Sequence, residues 1–222
     1  MSIDLFKDAW FIIPARKGSK GLPGKNRILL KYTLDIIPEV YYKKVIVSTD
    51  DNEIINTIKK NYKDILIHER STASASDTAS TKTCLSEVIK YFALEEKNII
   101  MLYLTYPERN WQDINKAYNF FKFKSSKSLL CKLEISDHNH PYLYMFETEN
   151  YKGKQVVSHN LYRRQDYPKC FKISHMIAIF QSKYIKNLNS NLYNESTDFY
   201  NIEEIVDVDT LEDLNRVINE KN

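Results

Sequence analysis

Three of the chain's four glycines lie between residues 18 and 24. The apolar run Trp10-Phe-Ile-Ile13 precedes them and is typical of a buried strand. Gly18, Gly21 and Gly24 permit positive φ angles and let the backbone come close to a ligand. The pattern therefore predicts a strand that ends in a tight, ligand-facing loop.

The same loop is rich in cations, with Arg16, Lys17, Lys20 and Lys25 close together. Backbone N–H groups and cations that converge in one loop are the usual means of holding phosphate oxygens. A solvated turn is the alternative, but a turn rarely needs this many glycines and cations at once. We therefore predict a polyphosphate-binding loop, in which Lys25 contacts phosphate and not the core.

Two common phosphate loops do not match this one. The Walker A pattern separates its two glycines by four residues and follows them with Lys and then Ser or Thr. Here five residues separate Gly18 from Gly24, and Asn26 stands in place of the hydroxyl residue. The glycine spacing of the Rossmann dinucleotide fingerprint does not fit either. These comparisons argue against a P-loop ATPase and against a nicotinamide-dependent enzyme.

Length and charge narrow the protein class. A chain of 222 residues can bury one substantial core, so we expect a single domain over residues 1–222 with one excursion. A net charge of +3 is too small to indicate nucleic-acid binding. No apolar run approaches the roughly 20 residues that span a bilayer, and the N-terminus does not resemble a signal peptide. We expect a cytoplasmic protein without a nucleic-acid or membrane partner.

Strand and helix patterns alternate along the chain. The strands are predicted at 10–13, 45–47, 65–67, 98–104, 128–133 and 205–208, and the helices at 29–37, 53–60, 85–92, 114–121 and 211–218. Repeated β-α-β units predict an α/β fold with a mainly parallel sheet and helices on both faces. Residues 137–172 interrupt this alternation with histidines and tyrosines. We expect them to form an excursion that contacts a partner subunit.

Asp207 and Asp209 are two residues apart at the end of the last predicted strand, so their carboxylates should project from one face. Paired carboxylates suit Mg²⁺, which commonly binds one or two carboxylates together with substrate phosphates. The alternative is that Asp209 or Thr210 caps the following helix. A polyphosphate loop needs a counter-cation, which favours the metal interpretation.

Taken together, the motifs resemble those of the acylneuraminate cytidylyltransferases, also called CMP-sialic acid synthetases. The glycine loop at residues 13–26 matches the family signature, and five further motifs follow in the same order over nearly the whole chain. They are Val47-Ser-Thr-Asp50, Arg70 with Ala75-Ser-Asp-Thr-Ala-Ser80, Thr105-Tyr-Pro-Glu-Arg109, Arg163-Arg-Gln-Asp-Tyr-Pro168 and Val206-Asp-Val-Asp-Thr210.

The resemblance implies a fold, a reaction and a role for each matching residue. The fold would be Rossmann-like and the protein a homodimer. The enzyme would transfer CMP from CTP to the anomeric hydroxyl of a 2-keto sugar acid, with Mg²⁺ or Mn²⁺, and release pyrophosphate. The triphosphate would be held by Arg16, Ser19, Lys20 and Lys25, and the cytosine and ribose by Asn26, Arg70, Ala79 and Thr81. The metal would be bound by Asp207 and Asp209, and the sugar acid by Arg164, Gln165 and Lys172.

The chain departs from the family pattern where the sugar acid would bind. Tyr103-Leu-Thr-Tyr-Pro107 replaces a common Gln-Pro-Thr-Ser-Pro run, and Lys172-Ile-Ser-His175 replaces Arg-x-Asn-Gly. The expected acceptor is a sugar acid other than N-acetylneuraminic acid. A CMP-Kdo synthetase, another sugar nucleotidyltransferase and a nucleotide-binding homologue without turnover are the alternatives.

Overall fold

The computed structural model describes residues 4–18, 21–76 and 78–220. The strands are β1 (Ala9–Pro14), β2 (Val45–Thr49), β3 (Leu66–Glu69), β4 (Asn98–Met101), β5 (Ser128–Glu134), β6 (Met145–Thr148), β7 (Lys152–Gln155), β8 (Phe171–Gln181) and β9 (Asp198–Asn201). The helices are α1 (Lys25–Leu34), α2 (Asn52–Asn61), α3 (Thr72–Ala75), α4 (Thr81–Tyr91), α5 (Trp111–Phe123) and α6 (Leu211–Glu220). Short 3₁₀ segments connect several of these elements.

Seven strands form one sheet in the order β3-β2-β1-β4-β8-β5-β9. All neighbouring pairs are parallel except the two that β8 makes, with β4 and with β5. The predicted mainly parallel, Rossmann-like sheet is therefore confirmed. The carboxyl ends of β1 to β4 lie at one edge, which is where open α/β sheets bind ligands.

Both faces of the sheet are covered. Successive residues of β1 alternate between two apolar clusters, with Phe11 and Ile13 in one and Ile12 in the other. The first cluster includes side chains of α1, α2, α5 and α6, and the second includes those of α4 and of the 3₁₀ segment Ser182–Asn187. Burial on both faces explains why the central strands are short continuous apolar runs rather than alternating patterns.

β8 was not predicted, and it contains an irregularity that matters for the site. Leu130 of β5 pairs with Ala178, but the next residue, Cys131, pairs with Ser174. Residues 175–177 therefore bulge out of the regular pairing. Bulges redirect side chains and are common next to functional sites.

The predicted strand at 205–208 is wrong, because residues 202–209 are all described and form no regular element. Within the predicted strand, Val206 and Val208 donate their N–H groups to the loop after β4 and not to a sheet strand, while β9 takes the sheet edge beside β5. Val208 is nonetheless fully buried, which accounts for the apolar pattern. The first helix also begins earlier than predicted, at Lys25, directly after the glycine loop.

The predicted excursion at 137–172 leaves the main sheet after β5, although its last two residues, Phe171 and Lys172, already belong to β8. Its strands β6 and β7 form a separate hairpin whose residues are all exposed. His140, Tyr142, His159 and Tyr167 pack their rings together near its base. The contact with a partner subunit and the single-domain organisation stay predictions.

Candidate active site

The glycines of the loop serve different purposes. Gly24 has a φ of +73° and stands immediately before α1, a conformation that favours glycine. A Cβ on Gly21 would lie 2.5 Å from the backbone oxygen of Asp209, so a side chain there is excluded. Gly18 meets neither constraint, since a Cβ would have open space. The loop is therefore shaped by one tight turn and one close contact with the Asp209 segment.

Two side-chain hydrogen bonds fix the described parts of the loop. The Lys17 N–H donates to Oδ1 of Asp50, beyond the end of β2, over 2.7 Å. Nδ2 of Asn26 donates to the backbone oxygen of Arg16 over 2.8 Å. Asn26 thus closes the loop across its base, while Ser19 and Lys20, both predicted to contact the triphosphate, lie outside the described residues.

Lys25 is only 6% exposed. Its ammonium group links α1 to Val208 and Asp209. Nζ donates to the backbone oxygen of Val208 over 2.7 Å and forms an ion pair with Oδ1 of Asp209 at 2.9 Å. The prediction that Lys25 contacts phosphate and not the core is therefore wrong in its second part, because the side chain is buried and bonded to protein groups. Its side chain borders the cavity and also holds the Asp209 segment in place.

A cavity of about 410 Å³ opens between the glycine loop and the residues that follow β3 and β4. The bordering residues are Pro14, Arg16, Gly18, Gly21, Lys25, Asn26, Arg70, Ser74, Ala79, Thr81, Tyr103, Leu104, Thr105 and Asp209. We call it the first cavity. It brings together seven of the predicted site residues, from sequence positions as far apart as 16 and 209.

Arg70 is one of the cations that border the first cavity. Its backbone N–H donates to the oxygen of Thr49, which fixes its position after β3. Its Nε is buried and has no hydrogen-bond partner among the described residues. An unpaired buried donor is costly. Arg70 also borders the first cavity, so its guanidinium places a positive charge beside any ligand that enters.

Three hydrogen bonds fasten residues 206–208 to the loop after β4, and together we call them the clasp. The Val206 N–H donates to Oε2 of Glu108 (2.7 Å), the Tyr106 hydroxyl donates to Oδ2 of Asp207 (2.8 Å), and the Val208 N–H donates to the oxygen of Thr105 (2.8 Å). The exposed Asp207 and Asp209 therefore flank a buried Val208, as they would in a strand, although the segment is not one.

Helix capping at this point is performed by Thr210 and not by Asp209. The Asp213 N–H donates to Oγ1 of Thr210 at 3.1 Å, and the Thr210 N–H donates to the Asp213 carboxylate at 2.8 Å. This is a reciprocal cap of the kind that commonly starts a helix. The side chain of Asp209, 75% exposed, is therefore not required for the cap and faces the cavity beside Lys25.

A second cavity of about 490 Å³ adjoins the first and shares with it Ala79, Thr81, Tyr103, Thr105 and Asp209. Its remaining wall consists of Ser80, Tyr106, His175, Ser190, Asn191 and Asp207. His175 reaches it from the bulge of β8, with its ring 6.0 Å from that of Tyr103. Its Nε2 lies 3.1 Å from the backbone oxygen of Asn191.

The tyrosines of the second cavity are embedded in protein. Burial raises the pKa of Tyr103, whose hydroxyl lies 2.6 Å from Oγ1 of Thr81. Burial, together with the neighbouring Asp207 carboxylate, also raises the pKa of Tyr106. Both hydroxyls therefore stay protonated near neutral pH and act as hydrogen-bonding groups, not as bases.

Three predicted residues do not reach either cavity of this chain. Arg164 and Gln165 are exposed in the excursion, where the Arg164 guanidinium lies 2.6 Å from Nδ1 of His138. Lys172 is exposed on β8, opposite Leu133. Their contact with the sugar acid, in part from a partner subunit, stays a prediction.

Tyr106, Arg109 and Asn191 contribute to the site but were not assigned a role from the sequence. Arg109 is fully buried, and it donates to the oxygen of Met176 (2.7 Å) and to Oγ1 of Thr33 (3.0 Å). Burial lowers the pKa of Arg109 to about 10. The motif Thr105-Tyr-Pro-Glu-Arg109 includes Tyr106 and Arg109 and could have pointed to both, whereas nothing in the sequence pattern marks Asn191.

Asp207 and Asp209 can bind a divalent cation only if further oxygen atoms, such as those of a bound phosphate, complete its coordination. Asp207 and Asp209 are hard oxygen donors, and each has one oxygen oriented by a buried donor, Tyr106 or Lys25. Within the described residues, no group of three or more His, Cys, Asp and Glu side chains is arranged to bind a metal by itself. A Mg²⁺ or Mn²⁺ ion here would therefore complete its coordination with phosphate oxygens and water.

The fold and the two cavities define an α/β protein with a cationic, glycine-bordered cavity at the carboxyl edge of its sheet. Residues 10–205 match the family model described as cytidylyltransferase. The chain belongs to this family, and the resemblance inferred from its motifs is confirmed. No described helix has the length and apolar character needed to cross a membrane.

Two named relatives illustrate the similarity. An N-acylneuraminate cytidylyltransferase of Streptococcus agalactiae is 27% identical over 93% of this chain and 52% of its own length. A pseudaminic acid cytidylyltransferase of Campylobacter jejuni is 28% identical over 64% of this chain and 69% of its own length. The chain thus spans about half the length of the first relative.

Solved structures agree on the fold. A CMP:2-keto-3-deoxy-manno-octonic acid synthetase complexed with CTP superposes with a TM-score of 0.69 at 15% identity, covering 97% of this chain and 100% of its own. A 4-diphosphocytidyl-2C-methyl-D-erythritol synthase from Anaerococcus prevotii gives a TM-score of 0.64 at 16% identity, covering 97% and 98%.

Proposed function

We propose that the chain transfers CMP from CTP to the anomeric hydroxyl of a 2-keto sugar acid of the sialic-acid type and releases pyrophosphate. The observation that carries the proposal is the joining of two cavities at Asp209. The first is bordered by Arg16, Lys25 and Arg70, and the second by the tyrosines and His175. A nucleotide and an acceptor can therefore lie side by side with carboxylates between them.

The first cavity supports binding of a nucleoside triphosphate. Arg16 and Lys25 offer positive charge beside the glycine loop, and Arg70 adds a third cation to the wall of the cavity. Family membership and the names of the relatives favour CTP among the nucleotides. The predicted contacts of Ala79 and Thr81 with the base and ribose agree with their place in the same wall.

In the reaction, the anomeric hydroxyl oxygen of the sugar acid forms a bond to the α-phosphorus of CTP. The bond from the α-phosphorus to the bridging oxygen breaks, and pyrophosphate leaves with the electron pair while the hydroxyl proton passes to solvent. The charged residues would align the two reactants and stabilise the developing negative charge, which is where most catalysis of this type originates.

Asp207 and Asp209 would hold Mg²⁺ or Mn²⁺ together with the phosphates. A bound divalent cation neutralises phosphate charge and increases the acidity of a coordinated hydroxyl. Lys25 offsets the negative charge of Asp209, and Tyr106 orients Asp207, so the two carboxylates are held ready for such an ion.

A homodimer is part of the proposal. The excursion exposes large apolar side chains, among them Met145, Phe146, Tyr151 and Tyr162. Several large apolar side chains exposed on one segment are typical of protein interfaces. A partner's excursion would then supply Arg164 and Gln165 to the acceptor. Light scattering of the purified protein tests the oligomeric state. The cytoplasmic location of the protein also stays a prediction.

The direct test is pyrophosphate release with CTP and Mg²⁺ across a panel of 2-keto sugar acids that includes N-acetylneuraminic, legionaminic and pseudaminic acids and Kdo. We expect release that requires one acceptor, CTP and the metal, and that stops with EDTA. UTP and GTP in place of CTP test base selection. CTP binding without release for any acceptor would instead support a homologue without turnover.

A further inference from the structure

Tyr106 occupies an unusual place between the protein core and the proposed metal ligands. It is only 6% exposed, yet its ring borders the second cavity beside Asp207. Its hydroxyl donates to Oδ2 of Asp207 over 2.8 Å. A buried tyrosine thus holds one oxygen of a carboxylate that is itself exposed to the cavity.

The hydroxyl has a well-defined position because the loop that carries it is anchored. The Arg109 N–H donates to the backbone oxygen of Tyr106 over 3.2 Å. The buried guanidinium of Arg109 in turn bonds Met176 on β8 and Thr33 on α1. The position of the Tyr106 loop is therefore set by bonds to two elements of the core, β8 and α1.

The two carboxylates are held by different kinds of donor. Lys25, a cation, holds Asp209, and its charge opposes the attraction that Asp209 can offer to a metal ion. Tyr106, a neutral donor, holds Asp207 and leaves the carboxylate charge undiminished. An exposed carboxylate without such a donor would have to give up rotamer freedom when it binds a ligand. Asp207 therefore attracts a metal ion more strongly than Asp209 does.

We propose that Tyr106 is a positioning residue that orients the Asp207 carboxylate for the divalent cation bound with CTP. The inference rests on the proposed function, since it requires a nucleotide and a metal at this site. Tyr106 acts through Asp207 and does not contact the reacting atoms. Groups that hydrogen-bond to metal ligands typically change metal affinity by about 10–100-fold when removed.

The test separates metal-dependent from metal-independent binding of CTP. Calorimetry gives the Kd of CTP in EDTA and in saturating Mg²⁺, and the ratio of the two measures the coupling between metal and nucleotide. We expect Tyr106→Phe to reduce this ratio about tenfold while the Kd in EDTA stays close to that of the unsubstituted protein. A general weakening of the structure would change both values instead.

Tyr118→Phe is the matched control. Tyr118 is also buried, and its hydroxyl accepts a hydrogen bond from Asn98 in the core, away from both cavities. We expect this variant to lose stability to a similar extent without changing the ratio. In the Asp207→Asn background, Tyr106→Phe should have no further effect on the ratio, because the group on which it acts is already altered.

The outcomes distinguish the inference from the function on which it rests. If the unsubstituted protein binds CTP more tightly with Mg²⁺ and Tyr106→Phe keeps the full ratio, the inference is wrong and the proposed function stands. An equal decrease of the affinity for CTP in the presence and in the absence of metal also contradicts the inference. If the unsubstituted protein shows no effect of Mg²⁺ or does not bind CTP, the proposed metal site or the function itself fails, and the inference with it.

Discussion

The two cavities at the carboxyl edge of the sheet are built from different kinds of structure. The first is bordered mainly by loops that directly follow the parallel strands β1, β3 and β4 and by the starts of α1 and α4, and it meets the second at Asp209. The second depends on the bulge of antiparallel β8, the irregular segment 206–209 and the turn at Asn191. The comparison teaches that the first cavity follows largely from the sheet itself, whereas the second is shaped by local irregularities.

The largest effect is expected at the carboxylates, where the two cavities meet. Asp207→Asn and Asp209→Asn should each reduce turnover about 10²-fold, comparable to the loss of a group that stabilises charge in a transition state. A neutral amide is a poorer ligand for a hard cation, so each variant should also need more Mg²⁺. Pyrophosphate release measured over a Mg²⁺ titration reports both quantities.

Asp213→Asn is the control for this pair, because Asp213 forms the cap of α6 and lies on neither cavity wall. It should change the melting temperature more than the Mg²⁺ requirement. Titrations of the Asp207 and Asp209 variants that match the unsubstituted protein would show that the carboxylates are structural.

The next largest effect is expected for Lys25→Met. Loss of a charge-assisted contact costs about 1.5–3 kcal/mol, which corresponds to roughly 10–100-fold in turnover. Because Lys25 is buried and bonded to Val208 and Asp209, we also expect a lower melting temperature, unlike for a lysine that faces phosphate alone. Activity and thermal unfolding are measured on the same preparation.

Lys17→Ala, at an exposed lysine of the same loop, is the comparison for Lys25→Met. It should leave the melting temperature nearly unchanged. If Lys25→Met keeps near-normal turnover while folded, the assignment of this loop to the triphosphate is wrong.

Arg70→Lys should affect the first cavity alone. Lysine keeps the charge but loses the guanidinium donors, including the buried Nε that has no partner among the described residues. We expect the KM for CTP to rise roughly 30-fold, about 2 kcal/mol for a hydrogen bond to a charged group. The KM for the acceptor should stay within experimental error in steady-state kinetics.

Arg27→Lys provides the matched substitution outside the cavity, since Arg27 pairs with Asp51 and Glu53. Its effect should be on stability and not on the KM for CTP. An Arg70→Lys variant that changes both substrates equally would mean that the cavities are not functionally separate.

The difference between the cavities also explains what the sequence could predict. The loop after β1 and the residue after β3 follow apolar strand patterns, and parallel topology brings such ends together without further information. The predicted Arg16, Lys25, Asn26 and Arg70 accordingly border one cavity. The fold class and the cations Arg16 and Lys25 were therefore predictable from local pattern and topology, whereas Asn26 and Arg70 were assigned through the resemblance to the family.

The second cavity was not predictable in this way. The clasp joins residues about a hundred positions apart, such as Tyr106 and Asp207, and leaves no periodic signal in either segment. The bulge that turns His175 toward the cavity depends on the pairing of β8 with β5. The apolar pattern at 205–208 predicts a strand, whereas the structure buries Val208 against a loop.

The smallest effect is expected at His175, which lies on the second cavity wall only. Glycine is common at this position in the resembling family, and removal of the imidazole, which lies near Tyr103 and Asn191, should widen the cavity. We expect His175→Gly to raise kcat/KM for N-acetylneuraminic acid about fivefold relative to the preferred acceptor. This is less than the 10-fold or more that one methylene is worth in an enclosed pocket.

His175→Ala separates the size of the side chain from the flexibility that glycine adds to a strand, since alanine removes the ring without the backbone freedom. Both variants should shift acceptor preference in the same direction and leave the KM for CTP unchanged, because His175 does not border the first cavity. Competition between paired acceptors in one reaction measures the preference directly. An unchanged preference with an altered KM for CTP would contradict the division between the cavities, and equal use of every acceptor by the unsubstituted protein would leave His175 without a role in selection.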